Sequence, residues 1–313
     1  MKRLTVMMPG QGSQFVGMGR DLAAADARAS ELYERADEAL GFPLSRICWE
    51  GPEDELRRTE NAQPAILLHS IVTWNLLPEV VRDSAVAGAG HSLGEFSAYV
   101  AAGALSFEDG LRLVRRRGEL MAESGNERAG TMAAVIGLEP ELVAEACLAA
   151  SGADGVAVPA NYNAPGQIVI SGDVAAVEVA MREAESRGAR KVVPLNVSGA
   201  FHSPLMESAR AGLATELETV RLQDPLFPIV ANASAAEVRT AEDAAGWLVE
   251  QLTSPVRWVE SVGALATEQP DLWVELGPGR VLCGLLKRID RSQSSVAAGT
   301  PQEVELLVES FDA

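Results

Sequence analysis

Histidine is scarce in this 313-residue chain, which has three, so any imidazole chemistry must come from His69, His91 or His202. Cysteine is equally scarce. Cys48, Cys147 and Cys283 lie far apart with no CxxC spacing, which excludes a disulfide scaffold, offers no zinc site and fits a reducing compartment. Positive charge is short as well: 26 Lys and Arg stand against 44 Asp and Glu, for a net charge of −18. That balance is the reverse of a nucleic-acid binder's footprint. Long apolar runs are missing too. Leu4 to Met8 stops at Pro9-Gly10, too early for a signal peptide, and Ala85 to Leu105, though about membrane length, is interrupted by His91, Glu95 and several glycines. The absences lead to the expectation of a cytoplasmic protein with no metal, no nucleic-acid partner and no membrane segment.

What is present is ordinary globular composition, 47% hydrophobic and 22% charged, in a chain long enough for one large domain or a large one with a smaller companion. Leu4 to Met8 reads as a buried strand ending in a glycine-rich loop. Gln63 to Leu77 reads as a buried helix, Ala85 to Gly90 as a strand of small residues, and Glu95 to Ala104 as the helix that follows. Strands alternating with helices predict a parallel sheet. From Thr131 the order becomes strand, helix, strand, strand, helix, strand, ending near Asn196, which is the ferredoxin-like βαββαβ order. The expected architecture is therefore α/β, with an α/β-hydrolase-like domain at 1–129 and 198–313 and a ferredoxin-like subdomain inserted at 130–197.

Gly90-His91-Ser92-Leu93-Gly94 matches G-x-S-x-G and sits between the small-residue strand and a helix, the context a nucleophile elbow requires. The competing reading is a glycine-rich turn with an incidental serine. A serine hydroxyl needs a base. His69 falls mid-helix, where a core or rim role suits it, and His91 adjoins Ser92, where support of the turn suits it. His202 remains, in the irregular segment Gly199-Ala200-Phe201-His202-Ser203-Pro204 at the expected domain junction. No carboxylate between Ser92 and His202 makes a convincing third member; Asp173 reads better as the N-cap of the next helix. A Ser–His dyad follows, with the imidazole oriented by a carbonyl.

Gly10-Gln11-Gly12-Ser13-Gln14 follows the first strand but has Phe15 where a dinucleotide fingerprint needs Gly or Ala. It is either a plain turn or the source of a backbone amide for an oxyanion, paired with the amide of Leu93. Phe107 to Ser124 is an amphipathic helix carrying Arg112, Arg115, Arg116 and Arg117. Arg115 and Arg117 flank the apolar stripe about equally, and periodicity does not choose between them; for the four together the plain expectation is a solvated basic face.

With Gly-Gln-Gly-Ser-Gln, Gly-His-Ser-Leu-Gly-Glu and Ala-Phe-His-Ser in this order, the chain resembles the malonyl-CoA:acyl carrier protein transacylases and the related acyltransferases of polyketide synthases. The resemblance continues through Arg117-Gly118 with Met121, Ala160-Asn161-Tyr162-Asn163 with Pro165-Gly166-Gln167, Gln251-Leu252 with Pro255-Val256, and Glu275-Leu276-Gly277-Pro278-Gly279. It implies that Ser92 is acylated by malonyl-CoA and that the phosphopantetheine thiol of acyl carrier protein then takes the malonyl group, with His202 as base and acid in both halves. It implies an oxyanion hole from the amides of Gln11 and Leu93, and a substrate-binding set of Arg117 for the malonyl carboxylate, Phe201, Gln251 and Asn161. The Gln251 segment matches the part that orients the histidine. No cofactor is expected beyond the two substrates, and the protein is expected to be a monomer. An acyl-thioester hydrolase would use the same dyad and is the alternative, against which Arg117 argues. The carrier protein is usually acidic, so a local basic patch is expected to dock it, with Arg190-Lys191 and Lys287-Arg288 as the candidates.

Overall fold

The computed structural model describes residues 2–153, 155–197 and 199–312. The chain begins with β1 (Leu4–Met8), whose five residues are all buried, as a central parallel strand covered on both faces must be. The other strands in chain order are β2 (Ala85–Gly90), β3 (Gly130–Ile136), β4 (Ala157–Ala164), β5 (Gln167–Asp173), β6 (Lys191–Pro194), β7 (Ile229–Val230), β8 (Glu237–Val238), β9 (Leu272–Leu276) and β10 (Ser295–Ala298). They form two sheets, so the chain is a mixed α/β structure. One sheet is six-stranded in the order β10-β9-β1-β2-β7-β8, parallel except for the β7–β8 pair; the other is four-stranded in the order β4-β5-β3-β6.

The four-stranded sheet is antiparallel at every pairing. Its period-2 alternation sorts the two faces. Ala133 and Val135 of β3 and Ile168 and Ile170 of β5 pack with Val143, Val177 and Ala180 of helices Pro140–Ala150 and Val174–Ser186 in a core of their own. Met132 and Val169 point the other way and join the main core. The small sheet thus covers its helices with one face and the large sheet's strand ends with the other. Two backbone bonds join the units: Val256 N–H donates to Ala160 O at 2.8 Å and Tyr162 N–H to Val256 O at 2.9 Å.

The expected strands at 4–8 and 85–90 are present with those bounds, and those expected at 131–138, 156–163, 167–172, 190–196 and 272–275 are present as Gly130–Ile136, Ala157–Ala164, Gln167–Asp173, Lys191–Pro194 and Leu272–Leu276. The expected return to the large unit at residue 198 lies outside the described residues, as do Met1 and Ala313. The helix expected from Gln63 starts a full turn earlier and runs Thr59–Leu76 with Pro64 inside it. Proline leaves the carbonyl four residues back without its helical donor. Here that carbonyl, Glu60 O, accepts from Arg115 Nη1 at 3.1 Å, so the helix runs on. The helix after β2 begins at Leu93, earlier than Glu95. Asp173 occupies the N-cap position of helix Val174–Ser186 but makes no capping bond. Its carboxylate instead takes both Arg128 nitrogens at 2.7 Å and the Val156 amide at 2.7 Å. The short strands β7, β8 and β10 carry too few residues for periodicity to register.

Candidate active site

Strand β2 ends at Gly90 and helix Leu93–Ala101 starts two residues after His91. A Cβ on Gly90 would lie 1.8 Å from the backbone carbon of Gly94, so this turn closes only without side chains there. Between them Ser92 is held at φ 51 and ψ −107, a backbone region that costs strain for any L-residue and recurs at functional sites. His202 is also at positive φ, 56.

Both strained residues meet. Ser92 Oγ lies 2.8 Å from His202 Nε2. His202 Nδ1 faces two carbonyl oxygens, Gln251 O at 2.9 Å and Ser254 O at 3.2 Å. Nδ1 therefore carries the proton, and Nε2 is left to accept from the serine hydroxyl. Burial, with the Arg117 charge behind it, pushes His202 down to about 3, so the ring stays a neutral base. The orienting group is a carbonyl, in the place a carboxylate would take in a triad.

Helix Phe107–Glu127 resolves the arginines. Against the expected solvated face, Arg117 is 1% exposed and points at Ser92, while Arg115 turns to the helix bearing Pro64 and stacks on Phe42 with its guanidinium carbon 4.9 Å from the ring centre. Close packing forces this: a Cβ on Gly118 would sit 2.6 Å from Glu60 Cα. Arg117 Nη2 donates to Ser92 Oγ at 3.0 Å and to Gln251 Oε1 at 2.8 Å, and Nη1 donates to Gln63 Oε1 at 2.7 Å. Nε has no partner. Burial lowers the guanidinium to about 10, which leaves it charged at neutral pH. The Phe96 ring, 5.5 Å away, adds a cation–π contact.

The other expected residues converge on the same place. Gln11, Asn161 and Phe201 line a cleft of 520 Å³ with Met121, Met132 and Val169, and Ser92 and His202 stand in its wall. Gln251 is fully buried below it. The Gln11 side chain donates to Thr59 Oγ1 at 3.3 Å. Among the described residues the backbone amides of Gln11 and Leu93 make no hydrogen bond, whereas the Ser92 amide is taken by Asn232 Oδ1 at 2.7 Å. Of these two residues Gln11 lines the cleft, and Leu93 directly follows Ser92 in its wall. His91 turns aside: its Nε2 lies 2.7 Å from Asn163 Oδ1 and its ring packs on Trp258. His69 is buried with Nε2 on Gly299 O at 2.9 Å.

The model of the acyl transferase domain matches residues 5–305. The chain belongs to the acyl transferase domain family. It is 41% identical over 314 residues to a malonyl CoA-acyl carrier protein transacylase of Bacillus subtilis, covering 99% of this chain and 98% of the relative. A solved malonyl-CoA:acyl carrier protein transacylase from Xanthomonas oryzae superposes with a TM-score of 0.94 at 40% identity, covering 99% of this chain and 98% of that one. A second solved relative, a malonyl-transacylase in complex with its type II polyketide synthase acyl-carrier protein, gives 0.93 at 38% identity, covering 98% and 99%.

In this acyltransferase, sequence reasoning missed Gln63, Asn232 and the buried Glu95. Asn232 binds Ser92 N–H and, through Nδ2, Gly90 O at 2.7 Å. No local pattern marks it. Glu95 did carry a signal, since a carboxylate in an otherwise apolar helix turn is costly without a task. The basic pairs named for docking, Arg190-Lys191 and Lys287-Arg288, are all exposed. Lys191 and Gln167 both pair with Ile136, and Arg288 donates to the Gln167 side chain, so the two pairs flank one end of the small sheet. Among the described residues none of the four is in an ion pair. No described helix is long and apolar enough to cross a membrane.

Proposed function

We propose that the protein transfers malonyl from malonyl-CoA to the phosphopantetheine thiol of an acyl carrier protein, supplying fatty-acid or polyketide synthesis. The observation that carries this reading is Arg117, a buried cation 3.0 Å from the nucleophile with an unpartnered Nε. An acetyl or long-chain transferase has no use for that charge, whereas a malonyl carboxylate forms a paired fork with it.

In the first half-reaction the Ser92 proton passes to His202 Nε2 as Oγ bonds to the thioester carbonyl carbon. Arg117 Nη2 exchanges its bond to Oγ for the incoming carboxylate. The oxyanion is received by the amides of Gln11 and Leu93. The C–S bond then breaks, and CoA leaves as the thiol with the proton from Nε2. The carrier's thiol runs the same steps backwards: His202 takes its proton, sulfur attacks the malonyl ester, and Ser92 regains its hydrogen. Phe201 and Asn161 shape the cleft around the acyl group, and Gln251 supports both Arg117 and His202.

The same reading makes the larger unit, 1–129 and 198–313, α/β-hydrolase-like and the unit at 130–197 ferredoxin-like. Support comes from the strand–Ser–helix elbow on a mainly parallel sheet, and from a βαββαβ order with the first and third strands side by side. It also makes the protein a cytoplasmic monomer that needs nothing beyond its two substrates. The test is intact mass after incubation with malonyl-CoA. The expected result is one malonyl group on Ser92, stable until carrier protein is added and then found on the carrier. Rapid loss of the adduct to water without transfer would identify a thioester hydrolase instead.

A further inference from the structure

Glu95 lies one turn beyond Ser92 on the elbow helix and is wholly buried. Two donors converge on one of its oxygens: Gln251 Nε2 at 2.6 Å and the Asn232 amide at 3.0 Å both reach Oε2, while Oε1 has no partner among the described residues. The Gln251 amide does more than bind Glu95. Its Nε2 also donates to Ser92 O at 3.0 Å, and its Oε1 accepts from Arg117 Nη2 at 2.8 Å.

A carboxamide has nearly the same shape in its two flipped orientations but exchanges donor for acceptor, whereas a carboxylate only accepts. A partner that only accepts forces the Gln251 NH2 toward the elbow helix and leaves the carbonyl oxygen for Arg117. In the flipped orientation the NH2 would face the guanidinium, donor against donor, and the carbonyl would face the carboxylate, acceptor against acceptor. The arginine would then lose one of the two amide oxygens that aim it beside Ser92.

We propose that Glu95 is a positioning residue for acyl-group selection: by accepting from Gln251 it fixes the amide orientation that holds Arg117 where a substrate carboxylate arrives. The inference rests on the reading of Arg117 as the carboxylate's partner. What it requires is an acceptor at Oε2. Burial pushes the Glu95 carboxyl up to about 7, and a proton on the partnerless Oε1 would leave both bonds to Oε2 in place. A glutamine with its oxygen at the Oε2 position would satisfy both donors equally.

The test is the ratio of acylation efficiencies, kcat/KM, for malonyl-CoA and acetyl-CoA with the full-length protein. Glu95→Leu removes the acceptor and should lower the malonyl-to-acetyl ratio by about tenfold, the worth of a hydrogen bond in a charged network. Glu95→Gln should restore the ratio to within about twofold of the parent. Glu95→Leu placed on Gln251→Ala should leave the ratio of that background unchanged, because the carboxylate acts through the amide. A purely structural role lowers the amount of active protein and so both efficiencies alike, leaving the ratio where it was. An unchanged ratio in Glu95→Leu overturns the inference. So does a Glu95→Gln variant as unselective as Glu95→Leu, or a further fall on the Gln251→Ala background. If the parent protein itself shows no preference for malonyl-CoA, the inference falls together with the proposed function; a parent preference that survives in Glu95→Leu overturns the inference alone.

Discussion

The two walls of the cleft are built on different plans. On the large-sheet side Ser92, Arg117, His202 and Gln251 form one hydrogen-bonded network, and the last three are buried. The small sheet's wall presents Met132, Val169 and Leu195 with Asn161 and Asn163, and Asn163 bonds His91, beside Ser92 in the chain. Groups that react must keep their geometry while charge moves, which needs fixed dipoles in a dry setting. A wall that only shapes and covers the acyl group can be apolar. On the proposed function, chemistry belongs to the large-sheet side and enclosure to the small sheet.

The largest expected effects test the first half of that contrast. Ser92→Ala should abolish the malonyl adduct in intact-mass measurement. His202→Ala should slow acylation by roughly 10²–10⁴-fold, and the double variant should be little worse, because groups acting as one unit are not additive. If His202→Ala acylated at a near-normal rate, the base would have to be sought elsewhere, and the contrast between the walls would break.

Next comes Arg117→Ala. Truncating one partner of a buried charge pair costs roughly 2–5 kcal/mol, so malonyl-CoA efficiency should fall by about 30-fold or more, with acetyl-CoA hardly affected. Arg117→Lys should recover only part, since an ammonium lacks the planar fork. Equal losses for both acyl donors would mean that carboxylate selection resides elsewhere, the small sheet included.

The dryness of the reacting wall has its own signature in pH. His202, pushed down to about 3 by burial and by Arg117, keeps its base form through mildly acid solution. With a malonyl thioester of a short, phosphate-free thiol, kcat/KM should therefore not fall in acid near about 6.5, where an ordinary imidazole loses half its base form. A fall centred there would show that water reaches the ring.

On the proposed function the carrier docks where the two basic pairs meet, Arg190-Lys191 on the small sheet and Lys287-Arg288 on the helix of the large unit that reaches Gln167. Reversing the charges of Arg190-Lys191 or Lys287-Arg288 should raise KM for the carrier several-fold, more so at low salt, and leave malonyl-CoA acylation alone. Salt-insensitive carrier kinetics, or equal effects on both half-reactions, would remove that role. The smallest kinetic effect is expected from Arg115→Ala. It should leave the malonyl-to-acetyl ratio unchanged while lowering stability by roughly 1–3 kcal/mol in chemical denaturation, because Arg115 serves Glu60 O beside Pro64 and Asn61 Oδ1.

That last pair marks where sequence reading stops. Arg115 and Arg117 are equivalent by helical periodicity. The choice between them depends on how helix Phe107–Glu127 lies against helix Thr59–Leu76, and a close approach at Gly118 sets that. The helix starts at Thr59, a turn before the expected Gln63, for a related reason: the carbonyl that Pro64 leaves bare inside a buried helix is served by a side chain remote in the sequence, Arg115.

By itself the sequence determined what local chemistry can enforce. A turn flanked by Gly90 and Gly94 has to present Ser92 between strand and helix, three histidines leave a short search for its base, and period-2 runs between 130 and 194 have to pair as strands with two faces. The tertiary structure decided what joins residues remote in the chain. Ser92 and His202 are 110 positions apart; Gln251 serves His202 with its backbone and Arg117 with its side chain; Asn232 and Glu95 hold the elbow from behind. Hydrogen bonds over such separations have no period and no spacing in the sequence, because packing fixes their geometry only after the elements that carry them have formed.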